Sequence, residues 1–564
     1  MTLLYVALIT AAALVLAYRF YGSLLARLFR LDPNAKMPSE ELRDDVDYIP
    51  TEPKFLLGQH FSAIAAAGPI VGPILAGLMF GWAPAMIWII VGAVLIGGVH
   101  DMGAIVASVR HKARSIAEVV KEHMNKRAFA LFLTFIWLAL VYIIVAFTDI
   151  TAQAFVGVQT LENGETVSGG GIATSSLLYL LIPVAMGLVL KFTKLGIGWT
   201  TAIFLPIVFL AIWGGQFIPI DISGDSAVKV WDTVILVYCV IAAVVPMWLL
   251  LQPRGHLGGY FLYFALAAGV CGLLFSGMPI EYPAFKGWQA ANGQMLAPFL
   301  FITIACGAVS GFHALIASGT TSKQLKKETH AKVLGYGTMM LEAGVAVIAL
   351  STVMILGSSD ELTKAAPNMV FATGLAKFLG MFGIPIVLAT SIMLMAFTTF
   401  VYDTLDVCTR LGRYIVQELT GWQGKAGMWA GTLLTAGVPL LFVTRTMTDA
   451  AGAPIPAWRA FWPLFGSANQ LLAALTLLAI TVWLWRTRRQ KWVLYVAGLP
   501  TVFMYCMSCW ALTSMMKAEL AKSGWSNPVT WVGVVLLALA GWMLVEGIAA
   551  FMRPVDKEPV AKAA

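Results

Sequence analysis

The sequence predicts an all-α polytopic membrane protein with about fifteen transmembrane helices. Of its 564 residues, 59% are hydrophobic and only 12% are charged, whereas soluble domains carry about 25% charged residues. The apolar residues form runs of about 20, the length of a helix that crosses a bilayer. Pro and Gly pairs interrupt such a run. A water-soluble globule is therefore excluded, because the chain has too few polar side chains to cover its surface.

Fifteen apolar runs meet the length criterion, and each predicts one transmembrane helix. The first lacks a basic N-terminal region and a convincing cleavage site, so it is interpreted as a retained helix and not as a signal peptide. The predicted spans are 2–20, 58–81, 84–108, 128–156, 172–190, 195–215, 230–251, 257–276, 294–319, 333–357, 379–402, 428–443, 464–485, 492–513 and 529–551.

The distribution of basic residues supports this count. When the loops are assigned alternately to two sides, 29 of the 37 Lys and Arg residues fall on one side, 8 fall on the other, and none falls inside a span. Cytoplasmic loops carry the basic excess, so the N-terminus is predicted outside and the C-terminus in the cytoplasm. The net charge of +8 is interpreted as attraction to anionic lipid, not to nucleic acid.

Two smaller motifs lie in or near the spans. In the basic loop 110–127, Ser115-x-x-Glu118 is a capping-box pattern that predicts a short cytoplasmic surface helix. The six cysteines are scattered through apolar segments, which argues against a disulfide framework. Cys506 and Cys509 are interpreted as buried thiols one helical turn apart, not as metal ligands.

Two apolar runs contain residues that a continuous helix would not favour. Gly58–Pro73 places Gly68-Pro69 and Gly72-Pro73 in mid-membrane, and each Pro removes a backbone donor. Cys306–Gly319 is rich in Gly and Ser. Unwound backbone at that depth must be buried in protein or line a cavity, although small residues also occur where helices pack closely.

The two interrupted segments share a short pattern. His60 precedes Ile-Ala by four residues, His313 precedes Ile-Ala by three, and the predicted topology runs the segments in opposite directions. Paired interrupted helices of opposite sense are typical of an inverted-repeat transporter. The second segment lies seven spans after the first, however, so a simple five-plus-five repeat fits badly.

Ionisable side chains inside the predicted spans are candidates for ion coupling. An unpaired carboxylate there costs about 2.5–3.5 kcal/mol on insertion scales. Asp101, Asp149 and Glu342 lie several residues inside apolar runs, whereas Asp403, Asp406 and Glu546 lie at span ends and are interpreted as interfacial; Asp232 is interpreted as a helix cap. The candidate proton-coupling set is His60, His100, Asp101, Asp149, His313, Glu342 and Asp403.

His100 and Asp101 are adjacent, so on a helix their side chains point about 100° apart. We expect each to find its partner on another segment, with His60, His313 and Glu342 as the candidates. Histidine and buried carboxylates change charge around neutral pH, which favours a proton as the coupling ion. A sodium site built from carboxylate and carbonyl oxygens is the alternative.

Other classes of membrane protein are less well supported. The sequence contains no His-Glu-x-x-His zinc-protease motif and no Walker A motif. Tyr402-Asp403 is similar to an aspartyl intramembrane protease motif, but Gly224-Asp225 lies in a polar loop and lacks the second Gly. An intramembrane enzyme or a channel stays as the alternative from a different class.

The long motifs resemble the carbon starvation (CstA-type) family of bacterial inner-membrane transporters. The matching stretches are Gly58–Pro73, Gly97–Asp101 with Arg110–Glu118, Ser310–Gln324, and Leu464–Gln470. The resemblance implies proton-driven secondary transport of peptides or pyruvate. It also implies a LeuT-like core with extra helices, as in the amino acid–polyamine–organocation superfamily. It does not choose between the two substrates.

We expect the substrate to lie between the two interrupted segments. Half-helix N-termini would attract its carboxylate, since no predicted span offers a Lys or Arg. Asn469 and Gln470 are open to a packing role or a ligand role. The candidate substrate-binding residues are Gln59, Ser62, Gly68, Pro69, Gly72, Ser310, Gly311, Phe312, Asn469 and Gln470.

The chain is expected to divide into an N-terminal transport region (1–380), a C-terminal transmembrane region (381–551) and a cytoplasmic tail (552–564). We expect no catalytic residue, metal or cofactor, because an ion gradient would supply the energy. The expected partners are a small-molecule substrate and the lipid bilayer.

Overall fold

The computed structural model describes residues 2–44, 48–161, 164–422, 424–448, 453–526 and 528–553. All of the tail except Met552 and Arg553 lies outside them. The α-helices are α1 (Leu3–Leu28), α2 (Pro38–Glu41), α3 (Pro53–Ile64), α4 (Gly68–Phe80), α5 (Trp82–Gly92), α6 (Gly98–Arg110), α7 (Ile116–His123), α8 (Lys126–Ala154), α9 (Gly169–Phe192), α10 (Ile197–Gly215), α11 (Ala227–Val244), α12 (Leu251–Phe275), α13 (Leu296–Thr303), α14 (Phe312–Ile316), α15 (Ser322–Gln324), α16 (Thr338–Met354), α17 (Pro367–Gly380), α18 (Ile386–Thr420), α19 (Gly424–Val443), α20 (Ala457–Arg488), α21 (Leu499–Ser523) and α22 (Pro528–Phe551).

Short elements of other kinds connect these helices. Strand β1 (Val158–Thr160) pairs antiparallel with β2 (Thr166–Ser168), and β3 (Met447–Thr448) pairs antiparallel with β4 (Pro454–Ile455). The 3-10 turns are Glu328–His330, Glu361–Lys364 and Gly524–Ser526, and the π-helical segments are Ala93–Gly97, Ala317–Thr321, Lys332–Gly337 and Leu494–Gly498.

The predicted polytopic α-helical class is confirmed. Among the described residues, thirteen helices are long and apolar enough to cross a membrane, and the bent pair α3–α4, with a 47° angle, makes a fourteenth. The predicted span 294–319 does not pass the same length test, because α13 ends at Thr303 and α14 begins only at Phe312. Both predicted interruptions are therefore breaks in the helical backbone.

Helix α20 lies at the centre of the fold. Every residue of its most apolar 18-residue window is buried inside the protein, and it packs against α8, α13, α21 and α22. A helix that is apolar on all sides belongs in such a position. Its location lets α20 contact the break between α13 and α14.

The prediction that no span contains a basic side chain is wrong. Arg254 lies in the first turn of α12, and Arg410 and Arg413 lie in α18; all three are buried. Sequence hydropathy assigned them to loops because charges mark the ends of apolar runs. Helix α18 has 35 residues, about 52 Å at 1.5 Å per residue, so it continues well past the predicted boundary at 402.

The long α18 also changes the position of Asp403 and Asp406, which were interpreted as interfacial. Arg254 Nη2 lies 2.7 Å from Asp403 Oδ1, and Arg254 Nη1 lies 2.7 Å from Asp406 Oδ2. The Tyr238 hydroxyl of α11 donates to Asp406 Oδ2 at 2.8 Å. These groups form a buried ion-paired cluster, the Arg254 cluster, that joins α11, α12 and α18.

Arg410 and Arg413 bind the end of α11. Arg410 Nη2 donates to the carbonyls of Ala242 and Val245, at 2.6 and 2.7 Å, and Arg413 Nη1 donates to that of Ala243 at 2.8 Å. A helix C-terminus leaves its last carbonyls unpaired and carries a partial negative charge. The two guanidinium groups satisfy both requirements inside the protein.

Two local expectations have mixed outcomes. Helix α7 begins after Ser115 as predicted, but the Ser115 side chain makes no capping hydrogen bond; Ser318 Oγ accepts from the Ile116 N–H instead. Cys506 and Cys509 lie on α21 as free thiols, yet Cys506 is exposed and Cys509 half-buried, so the prediction that both are buried is wrong.

We expect Arg254→Gln to lower the free energy of unfolding by about 3–5 kcal/mol, because it leaves buried carboxylates unpaired. The measurement is thermal or denaturant unfolding of the detergent-purified protein. The exposed Arg445→Gln is the matched control and should change little. Combining Arg254→Met with Asp403→Asn and Asp406→Asn should recover part of the loss; equal stability of Arg254→Gln and the native chain would contradict the assignment.

Candidate functional site

The two interrupted segments pack directly against each other. A Cβ atom added to Gly68 would lie 2.6 Å from Cys306 Sγ, and one added to Gly72 would lie 2.5 Å from the Thr303 carbonyl oxygen. Only glycine permits this approach of α4 to the end of α13. The expected substrate position between the segments is thus filled by protein contacts in this conformation.

Asn469 of α20 holds the unwound backbone between α13 and α14. Its Nδ2 donates to the Ala305 carbonyl at 2.7 Å and to Ser310 Oγ at 3.0 Å, and its Oδ1 accepts from the Phe312 N–H at 3.0 Å. The Asn469 carbonyl also accepts from the Gly311 N–H at 3.2 Å. Asn469 therefore replaces the hydrogen bonds that a continuous helix would have made there.

Gln470 acts on the other side of the break. Its Nε2 donates to the carbonyls of Phe301 and Ile304, at 3.1 and 3.0 Å, which are end groups of α13 that lack helical partners. Gly311 packs against α20 so closely that a Cβ would lie 2.5 Å from the Asn469 carbonyl oxygen. The structure gives both amides a packing role, and larger side chains at Gly68 or Gly311 would disturb packing before they filled a cavity.

His313, at the start of α14, lies between two carboxylates. Its Nδ1 is 2.8 Å from Asp101 Oδ2 of α6, and its Nε2 is 3.1 Å from Glu342 Oε2 of α16. All three side chains are fully buried. Three helices distant in sequence thus bring a histidine and two acids together.

His100 contacts this group of three side chains through Asp101, the next residue in the sequence. His100 Nδ1 lies 2.7 Å from Asp101 Oδ1, so the expectation that adjacent side chains on a helix cannot face each other is wrong. The two side chains leave the helix about 100° apart, but an imidazole and a carboxylate are long enough to meet between those directions. Consequently, His100 contacts Oδ1 of Asp101 and His313 contacts Oδ2.

His60, at the end of α3, lies beside this group. Its Nδ1 is 2.7 Å from Thr321 Oγ1, which belongs to the π-helical segment after α14. The Nε2 atoms of His60 and His100 are buried and have no hydrogen-bond partner among the described residues. We call His60, His100, Asp101, His313 and Glu342 the His313 cluster.

Irregular helix geometry surrounds the His313 cluster. The π-helical segment 93–97 precedes His100, the segment 317–321 contains Thr321, and the segment 332–337 precedes Glu342. π-Bulges are often found at functional sites. Each of them rotates the following side chains relative to a regular α-helix, and here those side chains include members of the cluster.

The contacts of His313 require one exchangeable proton. A carboxylate can only accept hydrogen bonds, so the Nδ1 atoms of His313 and His100 carry the hydrogens that face Asp101. His313 Nε2 and Glu342 Oε2 are within ion-pair distance but make no geometrically complete hydrogen bond among the described residues, so one further proton, on the imidazole or on the carboxyl group, would make this contact favourable. Without it a lone pair would face a carboxylate in a site closed to water, which is strongly unfavourable.

Two predicted coupling residues lie elsewhere. Asp149 Oδ2 accepts from the Trp458 N–H at 2.7 Å, where it caps the start of α20. Asp403 belongs to the Arg254 cluster. Asp232 lies in the second turn of α11 with both carboxylate oxygens buried and without a hydrogen-bond partner in the described part of the chain, so its interpretation as a cap is wrong.

The remaining predicted substrate residues are dispersed. Gln59 is exposed and Ser62 is half-buried, both on α3. Pro69 lies in the first turn of α4, a position that tolerates proline. Phe312 is buried at the first residue of α14.

Sequence reasoning missed Cys306, Thr321, Arg254 and Tyr238. Cys306 Sγ, His313 Nε2 and a Glu342 oxygen lie within 4.8 Å of one another, a spacing that could hold a metal ion. The Cys306 thiol, however, donates to Ser310 Oγ at 3.3 Å and accepts from Asn469 Nδ2 at 3.6 Å. We therefore assign Cys306 to the hydrogen-bonded support of the break. The small-residue pattern around it was the available signal.

The chain matches known transporters over most of its length. Residues 2–362 and 352–511 match the family model described as "Carbon starvation protein CstA". The peptide transporter CstA of Escherichia coli is 31% identical over 95% of this chain and 83% of its own length. The peptide transporter CstA of Helicobacter pylori (strain J99) is 30% identical over 89% of this chain and 80% of its own length.

A relative with a different named substrate also matches. The pyruvate/proton symporter BtsT of Escherichia coli is 29% identical over 90% of this chain and 81% of its own length. Among solved structures, a manganese transporter of Eremococcus coleocola is 14% identical, with a TM-score of 0.42 over 90% of this chain and 98% of that chain. That score is too low for any conclusion about this chain.

We expect Asn469→Ala to lower the free energy of unfolding by about 2–4 kcal/mol, because the side-chain hydrogen bonds to Ala305, Ser310 and Phe312 at the break are lost. Unfolding of the detergent-purified protein would measure it, with the exposed Asn292→Ala as control. Labelling of Asn469→Cys should be indifferent to substrate; protection by substrate would instead indicate a ligand role for this side chain.

Proposed function

The chain belongs to the carbon starvation protein CstA family, and we propose that it is a secondary active transporter of the bacterial inner membrane that imports peptides or pyruvate by proton symport. The position of His313 between Asp101 and Glu342 carries the proposal. Relatives named for peptide transport and for pyruvate/proton symport support it.

The proton shared by His313 and Glu342 is the proposed coupling proton. With it, the buried trio of His313, Asp101 and Glu342 carries one net negative charge; without it, the trio carries two. A second uncompensated negative charge in a site of low dielectric is costly. Loss of the proton therefore favours a rearrangement that separates the two carboxylates or admits water.

The proposed orientation counts the broken α13–α14 segment as a fifteenth crossing and places the N-terminus outside and the C-terminus in the cytoplasm. It rests on the basic excess of alternate loops. Two contacts agree with the grouping of the loops into two sides, because each joins residues assigned to the same side: Asp149 with Trp458, and Arg254 with Asp403. The His313 cluster then lies in the cytoplasmic half.

For proton entry we propose the carboxylates of the outer half. Asp149 is engaged by the α20 backbone, whereas Asp232 is buried without a partner among the described residues. The rings of Phe155 and Trp231 contact each other, with centroids 5.2 Å apart, which brings the two carboxylate-bearing helices together. Asp232 is the one free to take up a proton.

For the substrate carboxylate we propose the N-terminus of α4. Asn469 occupies N–H groups that begin α14, whereas no side chain of the described residues caps the N-terminus of α4 at Ala67. Helix N-termini attract anionic groups. Peptides and pyruvate both carry a carboxylate, so this site serves either. The substrate reaches it only when α4 and the end of α13 separate.

We expect purified protein in proteoliposomes to accumulate labelled pyruvate, or labelled di- and tripeptides, above equilibrium when the lumen is alkaline. A protonophore should abolish accumulation, because the proton gradient drives it. Protein-free liposomes are the control. Equilibration without accumulation would indicate a channel, and uptake that needs sodium and ignores a protonophore would contradict proton coupling.

We expect Glu342→Gln and Asp101→Asn to lose gradient-driven accumulation and to retain substrate counterflow, because each removes a charge that holds the coupling proton. Asp232→Asn should slow gradient-driven uptake, because Asp232 is the proposed site of proton entry. Asp149→Asn should keep uptake, since an amide oxygen can still accept from α20. The carboxylate of Glu546, which accepts from Asn125 away from the cluster, supplies the control Glu546→Gln. Normal accumulation by both Glu342→Gln and Asp101→Asn would overturn the assignment.

A further inference from the structure

A second group of ligand-type side chains lies on the side of the membrane assigned to the cytoplasm. His111 follows the last residue of α6, and Glu122 and His123 end α7. One nitrogen or carboxylate oxygen from each residue lies within 4.8 Å of the others. His111 Nε2 and His123 Nε2 are 2.8 Å apart. We infer that these three side chains bind a divalent transition-metal ion of the zinc class.

The turn between α6 and α7 is built to bring the two imidazoles together. Lys112 and Ala113 have φ angles of 60° and 52°, a left-handed conformation that is costly for residues other than glycine. Ser108 fixes the turn, since its hydroxyl donates to the Arg114 carbonyl at 2.6 Å and its carbonyl accepts from the Ala113 N–H at 2.8 Å. These contacts fix the backbone of the turn that carries His111.

The ring of His111 is oriented as in a metal ligand. Its Nδ1 lies 2.6 Å from the Ala107 carbonyl oxygen, which can only accept, so Nδ1 carries the hydrogen and the Nε2 lone pair faces His123. Ligating histidines commonly donate their other ring N–H to a carbonyl in this way. The N–H···N bond between the imidazoles is the contact that a metal ion would replace.

The spacing requires only a small adjustment. In a tetrahedral zinc site with Zn–N distances of about 2.0–2.1 Å, two ligand nitrogens are about 3.3 Å apart. The two Nε2 atoms, now 2.8 Å apart, would separate by about half an ångström. His123 is buried, His111 half-buried and Glu122 exposed, so an ion can enter past Glu122 and keep a water as its fourth ligand.

The donor set determines the class of ion. Two imidazoles and one carboxylate suit zinc and neighbouring divalent ions, whereas magnesium and calcium prefer sites made wholly of oxygen. The basic neighbours do not oppose binding, because Lys121 and Arg114 both pair with Glu118. Glu122 supplies the negative charge that the two neutral imidazoles lack.

The site also lies against the central helix. Arg486 of α20 donates to the His123 carbonyl, and the His111 and Trp483 rings contact each other with centroids 5.6 Å apart. A bound ion would join the end of α6 to α7 and thereby to α20. Asp101 lies in the first turn of the same helix α6. Metal binding is independent of the proposed transport activity and is tested without it.

The test is a zinc titration by calorimetry, with elemental analysis, of the full chain purified in detergent after treatment with a chelator. We expect one zinc per chain and a higher unfolding temperature with zinc. His111→Gln should abolish binding, and Glu122→Gln should weaken it by at least about tenfold, the effect of losing a supporting partner alone.

Two control variants identify the site. His256→Gln changes a half-buried histidine that pairs with Thr201 on another face and should bind zinc normally. Cys306→Ser should also bind normally, which separates this site from the buried Cys306, His313 and Glu342 group. No zinc binding by the native chain, equal binding by His111→Gln, or loss of binding in Cys306→Ser with retention in His111→Gln would overturn the inference.

Discussion

Backbone hydrogen bonding at the break between α13 and α14 is the constraint on which the rest of the structure depends. Inside a membrane each unpaired N–H or C=O group costs several kcal/mol, so a helix can be interrupted only where other groups replace its bonds. Asn469 and Gln470 do this from α20. They can do so only because α20 is enclosed by protein; a helix facing lipid could not bring two amides to this depth. The same contacts fix the start of α14, and with it the ring of His313.

The Arg254 cluster and the His313 cluster differ in the basic side chain that each contains. In the Arg254 cluster the cation is a guanidinium, which stays charged at every physiological pH, so its ion pairs with Asp403 and Asp406 are permanent and hold α12 to α18. In the His313 cluster the basic group is an imidazole, whose charge can change near neutral pH. A permanent ion pair is suited to holding helices together, whereas a titratable imidazole can gain or lose a proton. The fold therefore separates the structural cluster from the proposed coupling cluster by residue type.

Sequence analysis predicted what depends on local composition and missed what depends on the lengths and rotations of helices. Apolar runs gave the polytopic class, and Pro and Gly gave both breaks. Arg254 and Asp403 were assigned to loop and interface because a charge ends an apolar run in sequence, while in the structure each charge is neutralised by the other across two helices. The pairing of Asp101 with His313 could be predicted from the sequence, since both were isolated ionisable groups that needed partners. The amide contacts of Asn469 were not, because nothing in the sequence tells which backbone carbonyls are left unpaired.

The contact between the two interrupted segments determines how a transport cycle could proceed. Gly68 and Gly72 lie against the end of α13 with no room for a Cβ atom, so a substrate can reach the proposed site only if α3 and α4 move away from α13 and α14. That movement must break the hydrogen bond between His60 and Thr321, which joins the two segments. His313 follows the same break and contacts carboxylates of α6 and α16, where the proposed coupling proton would lie. A change in that proton alters the attraction between α14 and its neighbours, while separation of the segments opens a path for water to the same atoms. In the proposed cycle, protonation and opening are therefore linked through one set of contacts, without any need for a signal to travel through the rest of the fold.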